Sequence, residues 1–318
     1  MIEDIAMTSN TDPGLEPGSL AAAAAAIDRI VLDKQQPVRL ALACLLARGH
    51  LLIEDAPGMG KTLFAHALAR VLGLEFKRVQ FTSDLLPADV LGVSIYQRES
   101  GDFRFHPGPV FTQMLLVDEV NRASPKTQSA LLEAMEEHQV TVDGLRRPLP
   151  APFFVIATQN AQDDHGTYPL PEAQLDRFLM RIELGYPGRQ AEYDILRGSD
   201  RRAALEELAP VMTPAQVLAL QQQVEALAVG EPLLDYLYAL LEQSRGSGRY
   251  RRGLSVRAAQ GLLRAARAWA LIDGRDYVVP ADVQAVLPAV AGHRLATLDG
   301  AGGAEVGQRL LEAVAVPA

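Results

Sequence analysis

Apolar positions along this chain change their spacing twice. Over residues 19–34 and 37–48 they recur at helical intervals. Short apolar and β-branched runs follow near 50–54, 76–80, 113–118, 152–158 and 179–184, separated by helical segments such as Leu63 to Leu72 and 126–138. The second of these segments carries Leu131, Leu132 and Met135 on one face behind a Ser124-Pro125 cap. Strands alternating with helices predict an α/β fold, a parallel five-stranded sheet sandwiched by helices. From about residue 188 the strand signals stop. Thr213-Pro214-Ala215-Gln216 reads as a capping box with Pro at the first helical position, opening a helix to about Leu227. Another helix is expected from Glu231 to Ser244. Ser255 caps a third, with Leu262, Leu263, Ala266 and Trp269 on its apolar face, and Pro280 opens a fourth. These define a small all-helical domain, 188–318, divided from a core of residues 19–187 near Tyr186-Pro187-Gly188. Residues 1–18, with Pro13, Gly14, Pro17 and Gly18, read as a mobile tail.

Composition narrows the classes. A chain of 318 residues with 48% hydrophobic and 22% charged content has room for two cores. Its net charge of −9 argues against a general nucleic-acid footprint. The basic cluster Arg249, Arg251 and Arg252 reads as a solvated loop. The single cysteine, Cys44, sits among Ala43, Leu45 and Leu46 and reads as helix packing. The longest apolar runs, Leu20–Ile27 and Leu40–Ala47, are too short to cross a bilayer, and Glu3 and Asp4 stand where a secretory leader would be basic. A cytoplasmic protein is expected.

The most informative stretch is Leu51-Leu52-Ile53-Glu54-Asp55-Ala56-Pro57-Gly58-Met59-Gly60-Lys61-Thr62-Leu63. It reads as a buried strand, a tight turn, then a helix: the arrangement of a phosphate-binding loop. Backbone N–H groups over Asp55 to Leu63 would cradle phosphate oxygens, Lys61 would reach the β- and γ-phosphates, and the Thr62 hydroxyl would ligate Mg²⁺. The full pattern G-x-x-x-x-G-K-[ST] asks for Gly where this chain has Asp55, so the motif alone is also compatible with an ordinary strand-to-helix turn.

A second element supports the phosphate site. Met114-Leu115-Leu116-Val117-Asp118-Glu119 suits a central strand whose acids fall at its C-terminal end, where open α/β sheets bind ligands. Asp118 would hold Mg²⁺ and Glu119 would polarise the attacking water. The strand Phe153 to Thr158 runs into Gln159-Asn160, an amide able to hold that water or touch the γ-phosphate; a turn-capping Asn fits the same pattern.

Taken together, Gly60-Lys61-Thr62, Val117-Asp118-Glu119, Ala157-Thr158-Gln159-Asn160 and the run from Gly166-Thr167-Tyr168-Pro169-Leu170-Pro171-Glu172 to Leu175-Asp176-Arg177-Phe178 resemble the MoxR family of AAA+ ATPases. Phe103 to Phe111 is similar to the segment before their Walker B strand. Gly253-Leu254-Ser255-Val256-Arg257-Ala258 resembles their sensor-2 signature, with Val256 in place of the usual Pro. The family commonly has an acid at the position of Asp55, which removes the objection to the loop. Ala161 stands where it usually has Pro, which loosens the loop at 161–167. The resemblance implies that Lys61 and Thr62 are Walker A, Asp118 and Glu119 Walker B, and Asn160 sensor 1. It implies that Arg177 is an arginine finger offered to the neighbouring subunit and Arg257 is sensor 2 from the helical lid. Arg257 also falls in the first turn of its helix, where the dipole disfavours a cation unless an anion lies nearby.

Residues 82–112 are too long for a plain connection and carry Phe103 and Phe105 in alternation. Val140 to Arg147 alternates around Asp143-Gly144, a hairpin signal over 139–150. In related ATPases such a helix-2 insert and pre-sensor hairpin grip or push a client; plain structural hairpins read the same way. The implied function is an ATP- and Mg²⁺-dependent ring protein, expected to be a hexamer. It would remodel a client protein with a von Willebrand factor A partner, in enzyme maturation or metal cofactor insertion. A metal-chelatase motor subunit and a nucleic-acid motor share the core. The run 166–178 differs from the first, and the charge opposes the second. A regulatory nucleotide-binding module would have no need of Glu119 and Arg177.

Overall fold

In a computed structural model, the structure describes residues 19–160, 166–198, 201–297 and 303–316. The expected tail at 1–18 and most of the loop after Asn160 lie outside them. The chain opens with α1 (Ser19–Asp28) and α2 (Gln35–Leu46). α1 ends six residues before the periodicity does, yet Ile30 and Val31 in the following turn remain buried. Then come β1 (Leu51–Glu54), α3 (Lys61–Val71), β2 (Phe76–Gln80), α4 (Pro87–Leu91), β3 (Gly92–Gln97), β4 (Asp102–Pro107) and β5 (Met114–Asp118). α5 (Pro125–Glu137), β6 (Gln139–Val142), β7 (Leu145–Pro148), β8 (Phe154–Gln159), α6 (Glu172–Leu175) and β9 (Met180–Ile182) complete the sheet-bearing part.

β2-β5-β8-β1-β9 form one parallel sheet in that order. Alternation along the strands sends side chains to both faces. Leu51, Ile53, Met114, Leu116, Phe154 and Ile156 pack with α2 and α3 into one core, which runs on into the C-terminal helices. Leu52, Leu115, Val117, Val155 and Ala157 pack on the other face with α5. This is why the central strands read as unbroken apolar runs instead of alternating ones. Register aligns the C-terminal tips: Gln80 is level with Asp118, and Ile53 and Glu54 with Thr158 and Gln159. Polar residues from four strands therefore meet along one edge.

Two antiparallel hairpins stand apart from this sheet, β3–β4 and β6–β7. Asp143 and Gly144 both take positive φ at the tip of the second, as the Asp-Gly signal requires. Tyr96 and Phe103 meet edge-on near the tip of the first, and both are exposed.

The C-terminal lid contains α7 (Arg189–Leu196), α8 (Arg201–Glu207), α9 (Pro214–Ala226), α10 (Glu231–Gly246), α11 (Val256–Ile272), α12 (Pro280–Ala291) and α13 (Ala304–Glu312). The Thr213–Gln216 capping box is formed, and the Ser255 hydroxyl accepts from the Ala258 N–H at 3.0 Å. Cys44 is fully buried, and burial pushes its thiol pKa up. No helix among the described residues is long and apolar enough to cross a membrane.

Candidate functional site

The turn after β1 is shaped by two glycines. Gly58 and Gly60 both have φ of 83°, a left-handed conformation that would strain any side chain. Gly60 caps α3 with no side-chain acceptor for the first-turn N–H groups, which leaves an amide-lined helix start suited to an anion. Lys61 opens that helix. Its Nζ donates to the Asp55 carbonyl at 2.6 Å, to Asn160 Oδ1 at 3.1 Å and to the Gln159 carbonyl at 3.4 Å. Burial pushes the Lys61 pKa down, opposed by the nearby carboxylates of Asp55, Asp118, Glu119 and Glu54.

Asp118 ends β5 and is buried. It accepts from Arg78 Nε at 2.6 Å and from the Thr158 hydroxyl at 3.2 Å. Glu119 turns the chain sharply, with φ of 56°, and its N–H donates to Thr158 Oγ1 at 3.0 Å. Three neighbours hold its carboxylate: Gln80 Nε2 at 2.7 Å, Arg122 Nε at 3.1 Å and Asn160 Nδ2 at 3.4 Å. The Asn160 amide thus spans the site, with its oxygen toward Lys61 and its nitrogen toward Glu119. This network assigns which way the amide points.

Pro57, Gly58, Gly60, Lys61, Thr62, Leu63, Asp118, Glu119 and Asn160 all line one cleft of about 920 Å³. Asp55, Ala56 and Met59, expected in the phosphate cradle, do not. Met59 packs against the core beneath the loop. The Asp55 carboxylate turns away, accepting from its own following N–H, on Ala56, at 2.8 Å and from Leu184 and Gly185 N–H at 2.8 and 2.7 Å. That gives the missing glycine a physical reason. A carboxylate at this position braces the loop against the segment after β9, a task glycine cannot perform.

Part of the cleft wall was not foreseen. His66, Ile195, Arg201, Leu205 and Glu206 also line the cleft. His66 stacks on Phe76 with ring centres 4.8 Å apart. It follows Thr62 by one helical turn, so spacing alone could have found it. Arg201, Leu205 and Glu206 lie on α8, which carried no signal of its own. Gln80, Arg78 and Thr158 were also missed as holders of the two acids, although strand ends beside Asp118 are where to look for them.

Arg177 and Arg257 stand elsewhere. Neither lines the cleft of its own chain. Arg177 Nε pairs with Glu136 Oε2 at 2.9 Å, and Arg257 Nη2 pairs with Glu136 Oε1. The anion that relieves Arg257 at its helix start is therefore a side chain of α5. Asp176, adjacent to Arg177, is engaged by Arg294 at 2.6 Å.

Comparison with known proteins agrees with the fold. The ATPase family associated with various cellular activities (AAA) matches residues 50–180, and the AAA lid domain matches residues 243–312. The chain is 44% identical over 296 residues to the uncharacterized protein YeaC of Bacillus subtilis, covering 92% of each. It is 40% identical over 305 residues to the chaperone MoxR1 of Mycobacterium tuberculosis, covering 92% of this chain and 80% of that one. A crystal structure from Cytophaga hutchinsonii superposes with a TM-score of 0.86 at 34% identity, covering 95% of this chain and 96% of that one.

Proposed function

This chain belongs to the MoxR family of AAA+ ATPases, chaperone-like proteins that hydrolyse ATP, and from that premise we propose how its residues divide the work. The first-turn amides of α3 and Lys61 hold the phosphates. Glu119 takes the proton of the attacking water as its oxygen bonds to the γ-phosphorus and the bond to ADP breaks. Asn160 keeps Lys61 and Glu119 in register. The single observation carrying this reading is that bridge, which joins a phosphate cation and a proton acceptor in one cleft.

Thr62 and Asp118 offer the oxygen donors Mg²⁺ prefers alongside substrate phosphates. Asp118 accepts from Arg78 and Thr158, so Mg²⁺ there would share its carboxylate with the Arg78 guanidinium or displace it. Among the described residues no group of three or more His, Cys, Asp or Glu is placed to hold a metal, so phosphate oxygens would complete the shell. When bound, Mg²⁺ neutralises phosphate charge.

Arg177 acts on the nucleotide of a neighbouring subunit in a ring, with six subunits our expectation, and Arg257 is carried beside it. The division into a core of 19–187 and a lid of 188–318 is our assignment. So are a cytoplasmic location, a von Willebrand factor A partner, and a client whose maturation or metal loading is assisted through the exposed hairpins. The test is Glu119→Gln beside Lys61→Ala. The first should bind ATP without turnover and retain client and partner on affinity capture. The second should lose nucleotide binding in a fluorescence titration. Turnover within a few-fold of wild type for Glu119→Gln would remove Glu119 as the base.

A further inference from the structure

We propose that Glu136 is a positioning residue that holds Arg177 and Arg257 together, so that both approach one anion on the neighbouring subunit. This rests on the reading of Arg177 as a finger acting across the interface.

Three elements meet at this carboxylate. Glu136 is in the last turn of α5, the helix that follows the Asp118–Glu119 strand. Arg177 lies between α6 and β9, and Arg257 is the second residue of the lid helix α11. Each helix alone places its residue badly. The carbonyl end of α5 disfavours a carboxylate, and the amide end of α11 disfavours a guanidinium. Pairing them removes both conflicts. The two oxygens of Glu136 are shared one to each arginine.

The sharing is selective. Arg252 has Glu172 at 3.1 Å and Arg294 has Asp176 at 2.6 Å, each a carboxylate of its own. Arg177 and Arg257 divide a single one, so neither is fully neutralised and both remain open to a further anion. Glu133 and Glu137 line the adjoining cavity of about 590 Å³ beside Arg177, yet no ion pair joins either to Arg177 or Arg257. The side chains of Arg177, Glu136 and Arg257 are 29%, 32% and 53% exposed. Exposed ion pairs of this kind contribute little to stability. What the arrangement fixes is geometry. It ties a core arginine and a lid arginine to the same point, and a misplacement of about 1 Å can cost on the order of 10²-fold in rate.

The experiment compares kcat and KM for ATP in assembled rings of wild type, Glu136→Gln, Glu136→Asp, Glu133→Gln and Arg177→Ala. Glu136→Gln should lower kcat by about tenfold or more and leave KM and ATP affinity within about twofold. Glu136→Asp keeps the charge with a shorter reach and should fall about threefold, a partial rescue. Glu133→Gln, the same charge change one turn away, should match wild type. A folded Glu136→Gln ring with wild-type kcat overturns the proposal. If that variant fails to fold, wild-type kcat in Glu136→Asp overturns it instead. Loss of turnover in Arg177→Ala with none in Glu136→Gln leaves the finger reading standing and removes Glu136 from it. Full turnover in Arg177→Ala removes both.

Discussion

The Asp55 carboxylate accepts the Gly185 main-chain N–H at 2.7 Å, binding the start of the phosphate loop to the segment that leads into the lid. The same carboxylate takes the Leu184 N–H, and Lys34 Nζ donates to the carbonyls of Gly185 and Tyr186 at 3.1 and 3.0 Å. Asp55→Gly would restore the G-x-x-x-x-G-K-[ST] pattern, yet it should harm this protein. It orphans three part-buried N–H groups, those of Ala56, Leu184 and Gly185, a loss of about 3–6 kcal/mol. Urea unfolding should show the drop, and nucleotide affinity should weaken with it, because Lys61 leans on the Asp55 carbonyl. A variant as stable as wild type would show that the brace is idle.

Acid should weaken the fold before carboxylates titrate. The His50 ring is buried. Its Nδ1 accepts from the Val155 N–H at 3.0 Å, so Nε2 carries the proton toward the Met135 carbonyl at 3.1 Å. Burial lowers its pKa from 6.5 to about 4. His293, half-buried and beside Arg294, is lowered in the same direction, by desolvation first and the Arg294 charge second. Between those two values the unfolded chain binds a proton that the folded one refuses. Stability is therefore full above pH 6.5 and falls as pH drops toward 4. From pH 6.5 to 5, His50 alone should cost on the order of 2 kcal/mol. Urea midpoints at pH 7.5 and 5.0 measure this, and His50→Gln should flatten the difference. A wild-type midpoint equal at both pH values contradicts the assignment.

Mixing tests the interface. Arg177→Ala and Glu119→Gln should each be inactive alone while still binding ATP. In mixed rings some interfaces pair an intact Glu119 with an intact Arg177 from the next subunit, so ATPase activity should partly return. No recovery, with mixed rings confirmed by size and mass, would mean that Arg177 acts within its own subunit or only holds the fold.

Nucleic acid should not bind tightly. A chain of net charge −9 releases few counterions on contact with DNA, and Arg252 of the one basic cluster is already paired with Glu172. Fluorescence anisotropy with short duplexes and single strands at physiological salt should show no sub-micromolar complex. Tight binding, or strong stimulation of the ATPase by DNA, would favour a motor acting on nucleic acid.

What the sequence made legible was local. Five runs became the five strands of the sheet; the central β1, β5 and β8 read clearly because a strand buried on both faces needs an apolar run, whereas the edge strand β2 is only half-buried. Ser124, Thr213 and Ser255 announced their helices by capping chemistry contained within four residues. Acids and amides at strand tips pointed to the cleft. What stayed hidden depends on distant partners. Asp55 looked like a lost glycine, since the Leu184 and Gly185 N–H groups that donate to its carboxylate lie 129 and 130 positions onward. Arg257 invited an anion, but nothing local identified it as Glu136, which sits 121 positions earlier. Part of the cleft wall came from α8, whose short stretch has no period to read. α13 was overlooked although Val306 and Leu310 recur at helical spacing and are fully buried.

The backward-turned peptide at Glu119 sets durability against turnover. A residue with a Cβ held at φ of 56° costs about 1 kcal/mol that glycine would not. Selection for heat resistance alone would drift toward Gly or Asn there, and the protein would gain a few degrees while losing the proposed acceptor for water's proton. An acid at this position therefore carries a backbone strain that glycine would not, and on the proposed reading it carries it for the sake of turnover.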